Sequence, residues 1–434
     1  MTCADLSETP DVLRQLTDEG VTPWLEGIGR AGLDGGQLRR LAGRTGVQGL
    51  LCDLGALVQG LRETGAYAAQ LAELAARGIP ARTALEELLV HDARRACDAL
   101  LPLYRATDGA QGLVAVPLAP WHGGVDGTVE AAHRTVLAVD RPNVVVVLPA
   151  TEEGLAASER CLGAGLGVHT GPVFGPDGYT ALVQAWFSGL ERARARGLDL
   201  RAIASFASVR VQDLGATAVG LARLLYECYE AALGAPRWHD LVRAGARPQR
   251  LMWTGLGDGG AVERLVGWGT GMALSLPALA RVARSTRLRG DTLSGTGPRI
   301  GRLPSRGGTA PATAAALAAA HTRAALALWS RAVRLVTREL AAGEPVPPGG
   351  AGGPATAGAA QDPVRDGAAQ NSVRDGAAQD PVRDGAAQDP VSPGTASGPG
   401  RPAASLRGVP APAAGPCGAA PASAAASAPP PPPR

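Results

Sequence analysis

The chain contains no lysine. All 42 of its Lys and Arg residues are arginine, and six histidines complete its basic side chains. A guanidinium stays protonated at any workable pH and does not attack a carbonyl as a free amine does. The absence excludes every mechanism that begins with a lysine amine, and leaves the N-terminus as the one primary amine. Aromatic residues are also scarce, 3% against 45% hydrophobic, so aliphatic side chains and alanine must fill the core. No two cysteines have CxxC spacing. Cys3, Cys52, Cys97, Cys161, Cys228 and Cys417 are scattered, which reads as reduced thiols in a cytoplasmic protein and argues against a zinc site. No uncharged apolar run approaches the roughly 18 residues of a membrane span. The leader MTCADLSETPDVL has no apolar segment of the kind a signal peptide needs. Charge of one sign is not in excess either: the net charge is +3, too mild to point to nucleic acid or an anionic membrane as partner.

What is present changes character near residue 343. Beyond it lie Pro-, Ala- and Gly-rich stretches and a nonapeptide repeat, AAQDPVRDG at 359, AAQNSVRDG at 368, AAQDPVRDG at 377 and a truncated copy at 386. Such a segment has almost no large apolar side chains to offset its ordering entropy. The sequence therefore divides into a globular region, 1–342, and a tail, 343–434, expected to be disordered, as a solvated tail or a partner-binding arm.

Within 1–342 eight segments read as strands: 21–28, 47–53, 112–118, 143–151, 166–173, 203–209, 249–255 and 271–277. Several are continuous apolar runs, as expected for a parallel sheet buried on both faces. NVVVV at 143–147 is the clearest, because β-branched residues pack well on a pleat and poorly in a helix. Helical patterns lie between the strands. One puts Leu85, Leu88, Leu89 and Ala93 on a single stripe, with Asp92, Arg94 and Arg95 expected on a helix surface. Eight strand–helix units predict an α/β fold, a closed (β/α)8 barrel of TIM type. The stretch 54–111 is longer than one unit needs and predicts a helical insertion. The segment 312–340 predicts one or two helices closing the globular part.

Specific motifs resemble the transaldolase family in its longer bacterial form, over roughly residues 10–342. They are GVTPWLEGIGR (20–30), the long helix motif at 74–109, DRPNVVVVLPATEEGL (140–155), IASFAS (203–208), RWHDLVRAGARPQRLMW (237–253) and LRGDTL (288–293). The resemblance implies a pentose-phosphate transferase moving a dihydroxyacetone unit, with no cofactor. It also implies a Schiff-base lysine two residues before PAT, and that position holds Val147. A bias replacing lysine with arginine would have left arginine there.

Other family positions depart as well. The acid–base Asp of the first strand corresponds to Glu26. The second strand's substrate-orienting Asn falls in a stretch reading Leu51, Cys52, Asp53, Leu54. The third strand's Glu and Asp match Pro117 and Ala119, and the fifth strand's Asn and Thr match His169 and Gly171. On the sixth strand Ser208 is kept. The ungapped position of the phosphate-binding Arg is Asp213, with Arg210 a substitute only across a shorter loop. The substrate-binding candidates are thus Asp53, Thr151, His169, Ser208 and Arg210. Apolar residues in place of polar ones at a barrel mouth are what loss of the ancestral reaction would allow.

These observations lead to a transaldolase-like protein of sugar-phosphate metabolism, impaired in the lysine mechanism and retained for binding or regulation. Its expected partners are a sugar phosphate and an active paralogue or a second copy of itself. The alternative is an active transaldolase-family transferase or aldolase with a non-lysine mechanism. A metal held by His122, His169, Asp53 and Glu26 would be one route, but no HxH or HxxxH spacing supports it. The arginines at 281–306, with Arg287 or Arg289 and the TLSGTG amides, offer a phosphate site also readable as a solvated loop, and the GLGDGG loop at 255–260 is a weak one, lacking the strand–GxGxxG–helix register and a following acidic residue at the right distance.

Overall fold

The computed structural model describes residues 11–63, 65–257, 261–285, 287–294 and 311–342. Strands β1 (Thr22–Glu26), β2 (Gly49–Leu51), β3 (Leu113–Pro117), β4 (Val144–Leu148), β5 (Val168–Thr170), β6 (Ser205–Arg210), β7 (Arg250–Thr254) and β8 (Thr270–Ser275) form one closed barrel. Every neighbouring pair is parallel, including β8 with β1. All eight strands lie within a residue of the expected segments. The tail, 343–434, lies outside the described residues.

The helices follow in chain order: α1 (Asp11–Asp18), α2 (Arg30–Asp34), α3 (Gln37–Thr45), α4 (Leu54–Glu63), α5 (Ala68–Ala76), α6 (Ala81–Ala106), α7 (Gly124–Val139), α8 (Glu152–Gly163), α9 (Pro176–Ala195), α10 (Ala218–Leu233), α11 (Pro236–Arg243), α12 (Leu276–Ser285) and α13 (Pro311–Ala342). The expected insertion is α4, α5 and α6, and the closing segment is one long helix, α13.

Alternation along each strand sorts side chains into two cores. Leu25, Val114, Val116, Val144, Val146, Val209, Leu251 and Leu274 point outward to the helices. Trp24, Leu113, Ala115, Val145, Phe206, Met252 and Ala273 fill the barrel interior, with Leu51 and Val147 at its edge. Two aromatic rings, those of Trp24 and Phe206, help fill the interior. Trp24 meets Phe206 edge-on at 4.8 Å, and its ring occupies the space that a Cβ at Gly49 would need. A third cluster joins Trp329, Ala332 and Val336 of α13 to α4, α5 and α6 through Leu57, Leu71, Leu85 and Leu88.

Asp92 corrects the expectation of a surface residue. It is buried on α6, where its Oδ1 accepts from Arg30 Nε at 2.6 Å and its Oδ2 from the Tyr67 hydroxyl at 2.8 Å. The Arg30 guanidinium lies 4.1 Å above the Tyr67 ring. The reason is that α6 is covered on more than one side: its apolar stripe meets α4, α5 and α13, while Asp92 meets the α2 side of the fold. Arg94 donates to the Val139 carbonyl at 3.2 Å. Arg95 pairs with Asp34 at 2.6 Å at the surface, as expected.

Candidate functional site at the C-terminal mouth of the barrel

The C-terminal strand ends carry Glu26, Leu51, Pro117, Val147, Arg210, Thr254 and Ser275. A cavity of about 450 Å³ opens beside β3, β4 and β5. Pro117, Val147, Thr151 and Gly171 line its barrel side, and Ala318, His321, Leu326 and Trp329 of α13 line the other. Most of this wall is apolar. Pro117 and Val147 are register partners, and Val147 is in turn the partner of His169. Val147 is half-buried and faces inward. The Val147 side chain therefore sits at the inner rim of the mouth.

A polar group lies on the β1–β6 side. Burial, and then the nearby Asp53 carboxylate, push the Glu26 carboxyl up to about 7; the Arg210 charge and a backbone hydrogen bond to Gly255 oppose this. Arg210 Nε lies 3.4 Å from Asp213 Oδ2. His321 of α13 reaches the same oxygen at 3.6 Å and also lines the cavity. Burial, then Arg210, pull the His321 pKa down, with Asp213 opposing. His321 thus joins the two halves of the mouth. The sequence expectation missed it, because an amphipathic pattern tells that α13 buries a face but not what that face covers.

The sequence candidates do not converge on one point. Thr151 is the N-cap of α8, its Oγ1 accepting from the Gly154 amide at 3.1 Å. Asp53 performs the same service for α4, accepting from the amides of Gly55 at 2.9 Å and Ala56 at 3.2 Å. Both are cap residues of the usual type, oxygen-bearing side chains satisfying orphan N–H groups. Ser208 is buried, and its Oγ fills the place that a Cβ at Gly171 would take. His169 is 1% exposed, with Phe206 at 5.7 Å and Trp24 at 6.5 Å between ring centres. Burial pushes its pKa down to about 4, so it stays neutral. It does not line the cavity. His122 pairs with Glu86 at 3.2 Å, away from the others. Among the described residues no three His, Cys, Asp or Glu side chains come together as metal ligands. The segments at 255–260 and 281–306 lie partly outside the described residues; Arg287 and Arg289 are exposed.

A closed eight-stranded parallel barrel with its strand ends gathered at a helix-covered mouth defines the class of protein. Comparison with known proteins then gives the family. The family model described as Transaldolase/Fructose-6-phosphate aldolase matches residues 56–284. The transaldolase of Thermobifida fusca is 35% identical over 311 residues, 65% of this chain and 84% of the relative. Transaldolase 1 of Streptomyces avermitilis is 32% identical over 318 residues, covering 67% and 84%. The transaldolase of Acidothermus cellulolyticus is 34% identical over 312 residues, covering 66% and 84%. The chain belongs to the transaldolase/fructose-6-phosphate aldolase family. No helix among the described residues is long and apolar enough to cross a membrane.

Proposed function

We propose that this chain is a transaldolase-family barrel that handles sugar phosphates without lysine-imine turnover, as a binding or regulatory protein of pentose-phosphate metabolism in the cytoplasm. One observation carries the reading. Val147 stands at the inner rim of the mouth, the motif resemblance assigns the family's imine-forming amine to that position, and the chain has no lysine to supply that amine from elsewhere. An imine needs a nitrogen with a free lone pair, and neither valine nor a protonated guanidinium offers one. The surroundings support the same reading. The resemblance assigns the proton relay to the position of Pro117, the register partner of Val147, and, read without a gap, the phosphate-binding arginine to the position of Asp213, whose carboxylate lies 3.4 Å from Arg210 Nε.

The test is borohydride trapping with fructose 6-phosphate, followed by intact-mass analysis and a dihydroxyacetone-transfer assay. No adduct and no transfer are expected. A covalent adduct on an internal residue, or transfer by the purified chain, would refute the reading. Thermal shift with millimolar sugar phosphate separates a binder from an inert scaffold. Co-purification of an active transaldolase would support a regulatory pairing.

A second reading rests on Glu26. A carboxyl titrating near 7 beside a cation is suited to general acid–base work, as an aldolase or isomerase without an imine would need. Retro-aldol cleavage of a ketose phosphate that is abolished by Glu26→Gln would favour it.

A further inference from the structure

A second cavity, of about 400 Å³, opens at the opposite, N-terminal mouth of the barrel. Among the described residues its wall carries Arg201, Arg247 and Arg250 and no carboxylate. Asp108, outside that wall, pairs with Arg201 at 3.4 Å and with Arg247 at 3.1 Å. Two guanidinium groups thus share one carboxylate. Arg250, the first residue of β7, has no carboxylate within ion-pair distance among the described residues. Its Nη1 donates to Gln111 Oε1 at 3.2 Å, and its guanidinium lies 5.9 Å from the Phe206 ring centre inside the barrel. Burial, together with the Arg247 charge, draws the Arg250 pKa down to about 10. Among the described residues two positive charges therefore go unmatched around one cavity, and a half-buried cation without a counter-ion is costly to hold.

The rim of this cavity carries an aromatic surface. Trp268 is 69% exposed, rare for so large a ring. It is fixed in place rather than free. Its ring packs onto Gly20, where any Cβ would collide with it. The Tyr226 hydroxyl donates to the Trp268 carbonyl at 3.1 Å, and the Gly269 amide donates to the Gly20 carbonyl at 3.1 Å.

We propose that the N-terminal cavity binds a phosphate-bearing small molecule, its anionic group held by Arg247 and Arg250 and its ring portion lying against Trp268. Planar guanidinium groups suit phosphate oxygens, and the volume matches a small-molecule site. The site stands apart from the C-terminal mouth and does not depend on whether that mouth performs chemistry.

The test is calorimetric titration of the full chain with inorganic phosphate and with adenosine monophosphate as a phosphate carrying a ring. Saturable binding of both is expected, with adenosine monophosphate about tenfold tighter. Arg250→Met should weaken both probes at least about tenfold, and Arg201→Ala should weaken both by a smaller factor. Trp268→Ala should weaken adenosine monophosphate alone. Arg201 is exposed, so its variant keeps the test valid if Arg250→Met fails to fold. No saturable binding up to about 10 mM would overturn the proposal, as would binding that neither arginine variant changes. Binding lost with Arg210→Ala but kept with Arg250→Met would place the anion at the other mouth and overturn it too. Equal affinity for the two probes would remove the role given to Trp268.

Discussion

Pro117 and Val147 face one another across β3 and β4 as register partners, and both line the cavity under α13. The resemblance to transaldolases assigns a proton-relay carboxyl to the first position and the imine-forming amine to the second. Val147→Lys should therefore restore one function without the other. Borohydride with fructose 6-phosphate should trap an adduct on residue 147. Dihydroxyacetone transfer should stay about a hundredfold or more below that of an active relative, the usual loss when a general acid–base group is missing. Full transfer by the single variant would show that Pro117 costs nothing. The absence of any adduct would show that residue 147 is not the imine position.

Glu26 gives a pH prediction with a defined sign. Its carboxyl has an ordinary value of 4.5 and is raised to about 7 in the fold, chiefly by burial. The folded state thus holds the proton over that window while the unfolded chain releases it. Stability contributed by the protonated form is lost as pH rises from about 4.5 to about 7. Glu26→Gln removes the buried charge, so it should stabilise the chain by roughly 1–3 kcal/mol at pH 8 and by little at pH 5. Urea unfolding at the two pH values checks this, and an equal effect at both would remove the burial argument.

The barrel was legible because its strands announce themselves chemically. The run at 143–147 has no helical alternative that packs, and eight such segments between amphipathic helices leave few topologies. The insertion at 54–111 was legible from length alone. The place of Val147 on the fourth strand was legible because RPN and PAT bracket that run. Other features turn on tertiary contacts that no local pattern records. Thr151 and Asp53 carry chemistry-bearing side chains, but helix α8 and helix α4 use them as caps. His169 reads as a mouth residue until one sees Trp24 and Phe206 close around it. His321 comes from α13, more than a hundred residues from the strands it meets. Asp92 read as a surface charge because its neighbours Arg94 and Arg95 are polar. Its partners, Arg30 and Tyr67, come from separate parts of the chain.

That buried cluster sets a stability prediction. Arg30 is 3% exposed, and Asp92 is its carboxylate partner. Asp92→Ala would strand a guanidinium in the core and should cost about 3–5 kcal/mol. Tyr67→Phe removes one hydrogen bond and should cost about 1–2 kcal/mol. Denaturant midpoints at unchanged slope measure both. A loss under about 1 kcal/mol for Asp92→Ala would mean that Arg30 finds water or another acceptor.

The last prediction concerns Arg210, the cation at the C-terminal end of β6. Arg210 is engaged by Asp213, and His321 shares that carboxylate. A sugar phosphate entering the mouth must compete with Asp213 for Arg210 and also meets its negative charge. Asp213→Asn keeps the size of the side chain and removes both effects. It should tighten fructose 6-phosphate binding at the C-terminal mouth by about tenfold, equivalent to about 1.4 kcal/mol. The gain should shrink as salt is raised, because the opposing charge is partly exposed. Titration of the variant in the Arg250→Met background isolates this mouth from the N-terminal cavity. Unchanged affinity there would mean that Arg210 is not the phosphate-holding group and that Asp213 does not restrain it.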